Sequence, residues 1–127
     1  MVISFPGGAC VDASVGDMVI KTDQPPQGGG QGSAPTPFML FLASLGTCAG
    51  IYILGFCQQR NIDTKGIEII QTTETNPQTR MVEKVNLEVK LPDDFPEKYR
   101  PAVVQAASLC AVKKHLENPP VFNVYTS

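Results

Sequence analysis

Ser33-Ala34-Pro35-Thr36-Pro37-Phe38-Met39-Leu40-Phe41-Leu42-Ala43-Ser44-Leu45-Gly46-Thr47-Cys48-Ala49-Gly50-Ile51-Tyr52-Ile53-Leu54-Gly55-Phe56-Cys57-Gln58-Gln59-Arg60 is the stretch that decides the fold. It opens with a helix start signal. Thr36 can cap, and Pro37 suits the first helical position, where a missing N–H costs nothing. No charged side chain occurs between Gln24 and Gln59. A helix apolar on every side must be buried in protein or in lipid. A thiol, Cys48, sits near its middle, and a reactive group on a rigid element is held still.

The surrounding chain bounds the answer. Its 127 residues suit one domain, 1–127, with a modest core. The net charge of −2 gives no electrostatic footprint for nucleic acid or an anionic membrane, so neither partner is expected. Met1-Val2-Ile3-Ser4-Phe5-Pro6 has no basic segment leading into a long apolar one, so no signal peptide is expected. The expected compartment is the cytoplasm, where cysteines stay free, catalytic or metal-binding. The run Phe38–Cys57 is long enough to span a bilayer. Against that reading, the rest of the chain carries amphipathic strands and a second helix that need a core of their own.

Outward from the helix, Val2–Phe5, Cys10–Val15 and Met18–Thr22 read as three short strands, with a break at Pro6-Gly7-Gly8 and a turn at Gly16-Asp17. Asp23–Gly32 reads as a loop by its Gly and Pro content, a flexible connector or a flap over a site. Beyond the helix, Ile67–Thr75 and Met81–Leu91 read as a strand pair, with Val85, Leu87, Val89 and Leu91 on one face. A second helix is expected mainly from Pro101 to about Leu116, with Ala102, Val103, Ala106, Ala107, Leu109, Cys110 and Val112 as a small-residue face. Val121–Tyr125 reads as a last strand. The order β-β-β-α-β-β-α-β predicts an α+β fold, with antiparallel sheets around a long buried central helix.

The cysteines are Cys10, Cys48, Cys57 and Cys110. No C-x-x-C occurs and His115 is the only histidine, so neither a metal site nor a cofactor is expected. Cys48 and Cys57 are separated along one helix by about 13.5 Å and face opposite sides, too far for a disulfide. A partner for Cys48 must come from elsewhere, Cys110 on the small-residue face being preferred and Cys10 second. Lys113 and Lys114 follow Cys110 and favour a thiolate, or simply suit a helix C-terminus.

The stretch Ser33–Cys48 resembles the G-P-x-P-x-E-L-L-L-A-S-L-G-x-C motif of the OsmC-like proteins, which include the organic hydroperoxide resistance proteins. Ser108-Leu109-Cys110-Ala111-Val112-Lys113 resembles their second motif, C-P-V-S, with Ala111 for Pro and Lys113 for Ser. The resemblance implies an intertwined homodimer with the central helices buried between sheets. It also implies a thiol-dependent peroxidase, in which Cys48 is peroxidatic and Cys110 resolving. An organic hydroperoxide would be the substrate, and a lipoyl-protein-like dithiol the reductant. Two departures stand out. The peroxidases carry a Glu ten positions before the first cysteine, where this chain has Phe38. They also carry an Arg in the N-terminal strands, whereas this chain has no Arg before Arg60. Lys21, Arg80 and Arg100 are the cations available to substitute. The alternative is a non-peroxidase member that binds an apolar small molecule beside Phe38, Phe41 and Leu42, or acts in thiol redox sensing or transfer.

Overall fold

Tight turns build the first sheet. In the computed structural model, which describes residues 1–127, β1 (Val2–Gly7) pairs antiparallel with β2 (Cys10–Val15), and β2 with β3 (Met18–Ile20). Gly16, at φ 57°, turns the chain between β2 and β3 in the left-handed region that other residues avoid. Pro6 does not end β1, contrary to the expected break. It lies where the register slips between Ser4 and Gly7 on an edge strand, so its missing N–H is not needed. β3 stops at Ile20; Thr22 leaves it to donate its hydroxyl to the Val11 carbonyl.

The chain divides into two compact units, Met1–Ala43 and Ser44–Ser127. In the first, the Gly- and Pro-rich loop is tied down rather than left as a free connector. Asp23 is only 2 % exposed and accepts from the backbone N–H groups of Gln24 (2.8 Å), Gln31 (3.2 Å) and Ser33 (3.0 Å), and from the Ser33 hydroxyl (2.7 Å). These donors hold its carboxyl well below the usual carboxylate range, Ser33 contributing most. A Cβ on Gly30 would stand 1.9 Å from the Gln24 carbonyl oxygen, so the closed loop admits only glycine there.

Helix α1 (Pro37–Gln58) begins as its sequence predicts, with Thr36 Oγ1 accepting from the Met39 N–H at 3.2 Å. It ends where Asn61, at φ 53°, turns the chain away and the Ile62 N–H reaches back to the Cys57 carbonyl. The single chain covers only one side of this helix. Only Leu45, Ala49, Ile53 and Cys57 are buried, a stripe at four-residue spacing, whereas Phe38, Met39 and Ile51 are more than half exposed. By length and composition α1 is able to cross a membrane.

In the second unit, β4 (Glu68–Thr75) and β5 (Val82–Lys90) form an antiparallel pair. Their Ile69, Leu87 and Val89, with Ile67 and Leu91, pack on a core of Ala49, Ile53, Cys57, Phe95, Val103 and Ala107. The expected second helix is divided. A single 3-10 turn (Glu97–Tyr99) leads into α2 (Arg100–Ala107), and α3 (Ala111–Glu117) starts afresh after Cys110. The physical reason lies at the break. Cys110 has φ −47° and ψ 121°, outside the helical region, and its sulfur accepts from the Lys113 N–H as a cap. Cys110 is therefore not mid-helix. The expected last strand does not form either. Residues 118–127 carry no regular structure, and Val121, Phe122, Val124 and Tyr125 are all more than 80 % exposed. A strand needs a neighbour to pair its backbone groups, and none is present in the single chain.

Candidate functional site

The second unit brings two of the four cysteines together. Cys48 projects from α1 and is half-buried; Cys110 is 2 % exposed at the start of α3. The Cys110 sulfur lies 4.0 Å from the Leu45 carbonyl oxygen, one turn before Cys48 on α1, and 3.4 Å from the Lys113 nitrogen. Cys48 and Cys110 are both free thiols, and each influences the other's titration.

Their environments push them apart. The Val112 N–H, then the Cys110 side chain, lower the Cys48 pKa from the ordinary thiol value; burial opposes them, and the Ala111 N–H adds a smaller lowering. Burial pushes Cys110 up. A bond to Cys48 and the charge on Cys48 add to that rise, while the Lys113 and Val112 N–H groups oppose it. Of the two, Cys48 is therefore the thiol that gives up its proton more readily. The donors are the free N–H groups of the first turn of α3, which no other residue in that helix uses. Sequence reading missed them, because backbone groups leave no residue signature. The signal that pointed there is the helix-start character of Cys110-Ala111-Val112, hidden by reading one continuous helix.

Within the single chain, the groups that lower the Cys48 pKa are the Val112 and Ala111 N–H groups and the Cys110 side chain. Arg100 is engaged by Glu97 (Nε to Oε2, 2.7 Å) and the Pro92 carbonyl (3.0 Å). Arg80 stands exposed on the β4–β5 turn at φ 61°, and Lys21 is exposed just after β3. Lys113 lies in the first turn of α3 rather than at a C-terminus, with Nζ 3.9 Å from Glu117. His115 Nδ1 meets the Ala111 carbonyl at 2.7 Å.

A cavity of about 360 Å³ opens beside Cys110, lined by Leu45, Val85, Leu87, Val104, Ala107, Ser108, Lys113 and Leu116. Phe38, Phe41 and Leu42 are the residues expected beside the ligand. They lie in the first two turns of α1, where the Phe38 and Phe41 rings contact each other at 5.5 Å. Phe38 is 53 % exposed. If the motif's Glu is counted from its written spacing, it falls on Met39; neither position carries a carboxylate. Cys57 is fully buried with its pKa raised by burial, as a core packing residue would be. Cys10 opens β2 opposite Gly7. No group of three His, Cys, Asp or Glu side chains converges to hold a metal.

Comparison with known proteins gives a consistent picture. A family described as OsmC-like protein matches residues 30–124. No curated protein matches the chain. Among solved structures, an osmotic stress induced and detoxification response protein from Psychrobacter arcticus 273-4 is 23% identical with a TM-score of 0.74, over 89% of this chain and 84% of that one. An organic hydroperoxide resistance protein OsmC from Legionella pneumophila is 21% identical with a TM-score of 0.52, over 91% of this chain and 87% of that one. These similarities establish the fold.

Proposed function

This chain belongs to the OsmC-like family, and from that premise we propose that it is a thiol-dependent peroxidase acting on organic hydroperoxides through Cys48 and Cys110. The observation that carries the reading is the split between two mutually influencing thiols, one lowered and one raised in pKa. The Cys48 thiolate attacks the terminal oxygen of ROOH. The O–O bond breaks, an S–O bond forms, and the alkoxide takes a proton and leaves as the alcohol. Cys48 is then a sulfenic acid. That step removes the negative charge that helped to raise Cys110, so Cys110 ionises more readily once it is needed. Its thiolate attacks the Cys48 sulfur, an S–S bond forms, and the displaced hydroxide leaves as water. A dithiol of the lipoyl-protein-like class restores both thiols by two exchange steps.

In this reading the first-turn N–H groups of α3 do the electrostatic work that a cation and carboxylate do in other members. The exposed side of α1 supports a homodimer in which a second copy covers Phe38, Met39 and Ile51, rather than a bilayer. The whole chain then acts as one domain of that assembly, in a reducing compartment such as the cytoplasm. The cavity beside Cys110 favours a second reading, binding of an apolar small molecule without turnover.

Stoichiometric cumene hydroperoxide followed by peptide mass spectrometry separates these. The expected product is a Cys48–Cys110 disulfide, with sulfenic or over-oxidised Cys48 accumulating in Cys110→Ser. A link through Cys10 with Cys110 untouched, or no oxidation at all, would overturn the peroxidase.

A further inference from the structure

Cys110 has two duties. It is the thiol beside Cys48, and it is the cap on which α3 starts, accepting the Lys113 N–H at 3.4 Å. α3 has little else to hold it. It spans Ala111–Glu117, none of its residues is buried, and only Val112 is half-buried. A helix this short is unstable alone in water. Its one side-chain ion pair, Lys113 to Glu117 at 3.9 Å, is exposed and contributes little. Cys48, by contrast, rides on the long helix α1, anchored by the buried stripe of Leu45, Ala49, Ile53 and Cys57.

From this asymmetry we infer that the Cys48–Cys110 disulfide is a conformational switch: its formation uncaps α3 and releases residues 111–127 from the cavity wall. The inference rests on the pairing of these two thiols in the proposed function, but not on what oxidises them. In the bond-forming step the Cys110 S–H and the Cys48 S–OH are consumed, one S–S bond forms and water leaves, the organic hydroperoxide having been the oxidant. The sulfurs must close to about 2.05 Å with a dihedral near 90°. The anchored α1 holds its place, so Cys110 moves. Its sulfur turns from the Lys113 N–H toward Cys48, and oxidation of Cys48 also ends the thiolate's hold on the Val112 and Ala111 N–H groups. Three first-turn donors of α3 lose their acceptors at once.

The consequence is directional. Lys113 and Leu116, both on α3, form one side of the cavity whose other walls are Leu45, Val85, Leu87, Val104 and Ala107. When α3 frays, that apolar floor is uncovered only in the oxidised protein. A dithiol reductant with an apolar arm therefore meets a surface in the form that needs reducing and a covered one in the form that does not.

The test forms the disulfide directly with diamide, so it does not depend on hydroperoxide turnover. Hydrogen–deuterium exchange of the full chain is compared before and after, with the link mapped by mass spectrometry. Amides of residues 113–118 are expected to exchange about five- to thirtyfold faster in the disulfide form, the range that loss of a cap and its neighbours implies, with α1 and β4–β5 unchanged. Trypsin should cut after Lys113 and Lys114 faster as well. Reduced Cys110→Ala, which lacks the cap but keeps Cys48, should exchange faster than the reduced wild type and no faster than the oxidised one. Cys110→Ser, which keeps a capping oxygen and cannot form the bond, should stay protected with and without diamide. A mapped Cys48–Cys110 link that leaves residues 113–118 protected overturns the switch and leaves the peroxidase reading intact. Absence of a Cys48–Cys110 link with both diamide and cumene hydroperoxide overturns the switch and the resolving role of Cys110 together. A switch that works with diamide in a protein inert to cumene hydroperoxide would instead sink the peroxidase alone.

Discussion

Val112 carries more of the chemistry than its side chain suggests, because its backbone N–H is the largest influence lowering the Cys48 pKa, ahead of the Ala111 N–H. Replacing each with proline removes one donor in the first turn of α3, where proline is tolerated best. Cys110, at ψ 121°, already has the extended conformation that a following proline asks for, so Ala111→Pro fits without strain. The pH midpoint of Cys48 alkylation by iodoacetamide should lie below that of a free cysteine in the wild type. It should rise in Val112→Pro and rise less in Ala111→Pro, with circular dichroism checking that α3 survives. Equal midpoints in all three proteins would show that the backbone donors do not set this thiol. Asp23 offers a second residue-scale test, this one of stability. Its folded pKa is lowered, so its contribution is complete above the unfolded value near 4 and is lost as pH falls below that through the folded value. Thermal melts should show Asp23→Asn less stable than wild type by several degrees at pH 7. The gap should persist to about pH 5 and narrow in stronger acid, where the wild-type carboxylate is protonated too. A gap that widened in acid would contradict the bonding described for the loop.

Among the elements, α1 has two kinds of apolar face. Ile53 is 3 % exposed and packs in the core; Ile51, two positions earlier, is 59 % exposed. Ile53→Ala should lower the unfolding free energy by about 2–5 kcal/mol in urea titration, as truncation of a buried large side chain does. Ile51→Ala should change the stability of the isolated chain by no more than about 0.5 kcal/mol, the range of an exposed site. The helix was legible from its sequence because its cap, its length and its freedom from charge are all local. Which quarter of its circumference the chain itself would cover was not legible, since leucines, isoleucines and phenylalanines occur all round it. The division of α2 from α3 was hidden for a related reason. Ser108-Leu109-Cys110 contains no Gly or Pro, and the break is imposed by where the Cys110 sulfur must sit, beside the Leu45 carbonyl.

For the whole molecule, the exposed apolar side of α1 and the unpaired segment 121–125 are two surfaces the single chain leaves uncovered. The proposed homodimer predicts that sedimentation velocity finds a dimer at micromolar concentration without detergent. Ile51→Asp should shift the population to monomer, because an unpaired carboxylate buried between apolar surfaces is costly. A wild-type protein that sediments as a stable monomer, or that is recovered only from membranes, would end that proposal.

The amino-acid sequence by itself determined the α+β order through β5, the start of α1 at Thr36-Pro37, and the alternating face of Val85, Leu87 and Val89. It also singled out Cys48 and Cys110. Each of these follows from capping, periodicity or spacing within a few residues, or from a motif whose pattern lies along the chain. Tertiary structure alone decided which groups answer the Cys48 thiol. Within the chain, the N–H groups of Ala111 and Val112 lower its pKa, and backbone N–H groups are carried by nearly every residue and marked by no sequence. It also decided that Asp23 would organise its loop, that Cys110 would begin a helix rather than sit within one, and that residues 121–125 would stay unpaired. Those outcomes depend on partners brought close in space from distant parts of the chain, or on a neighbouring strand that the single chain does not supply.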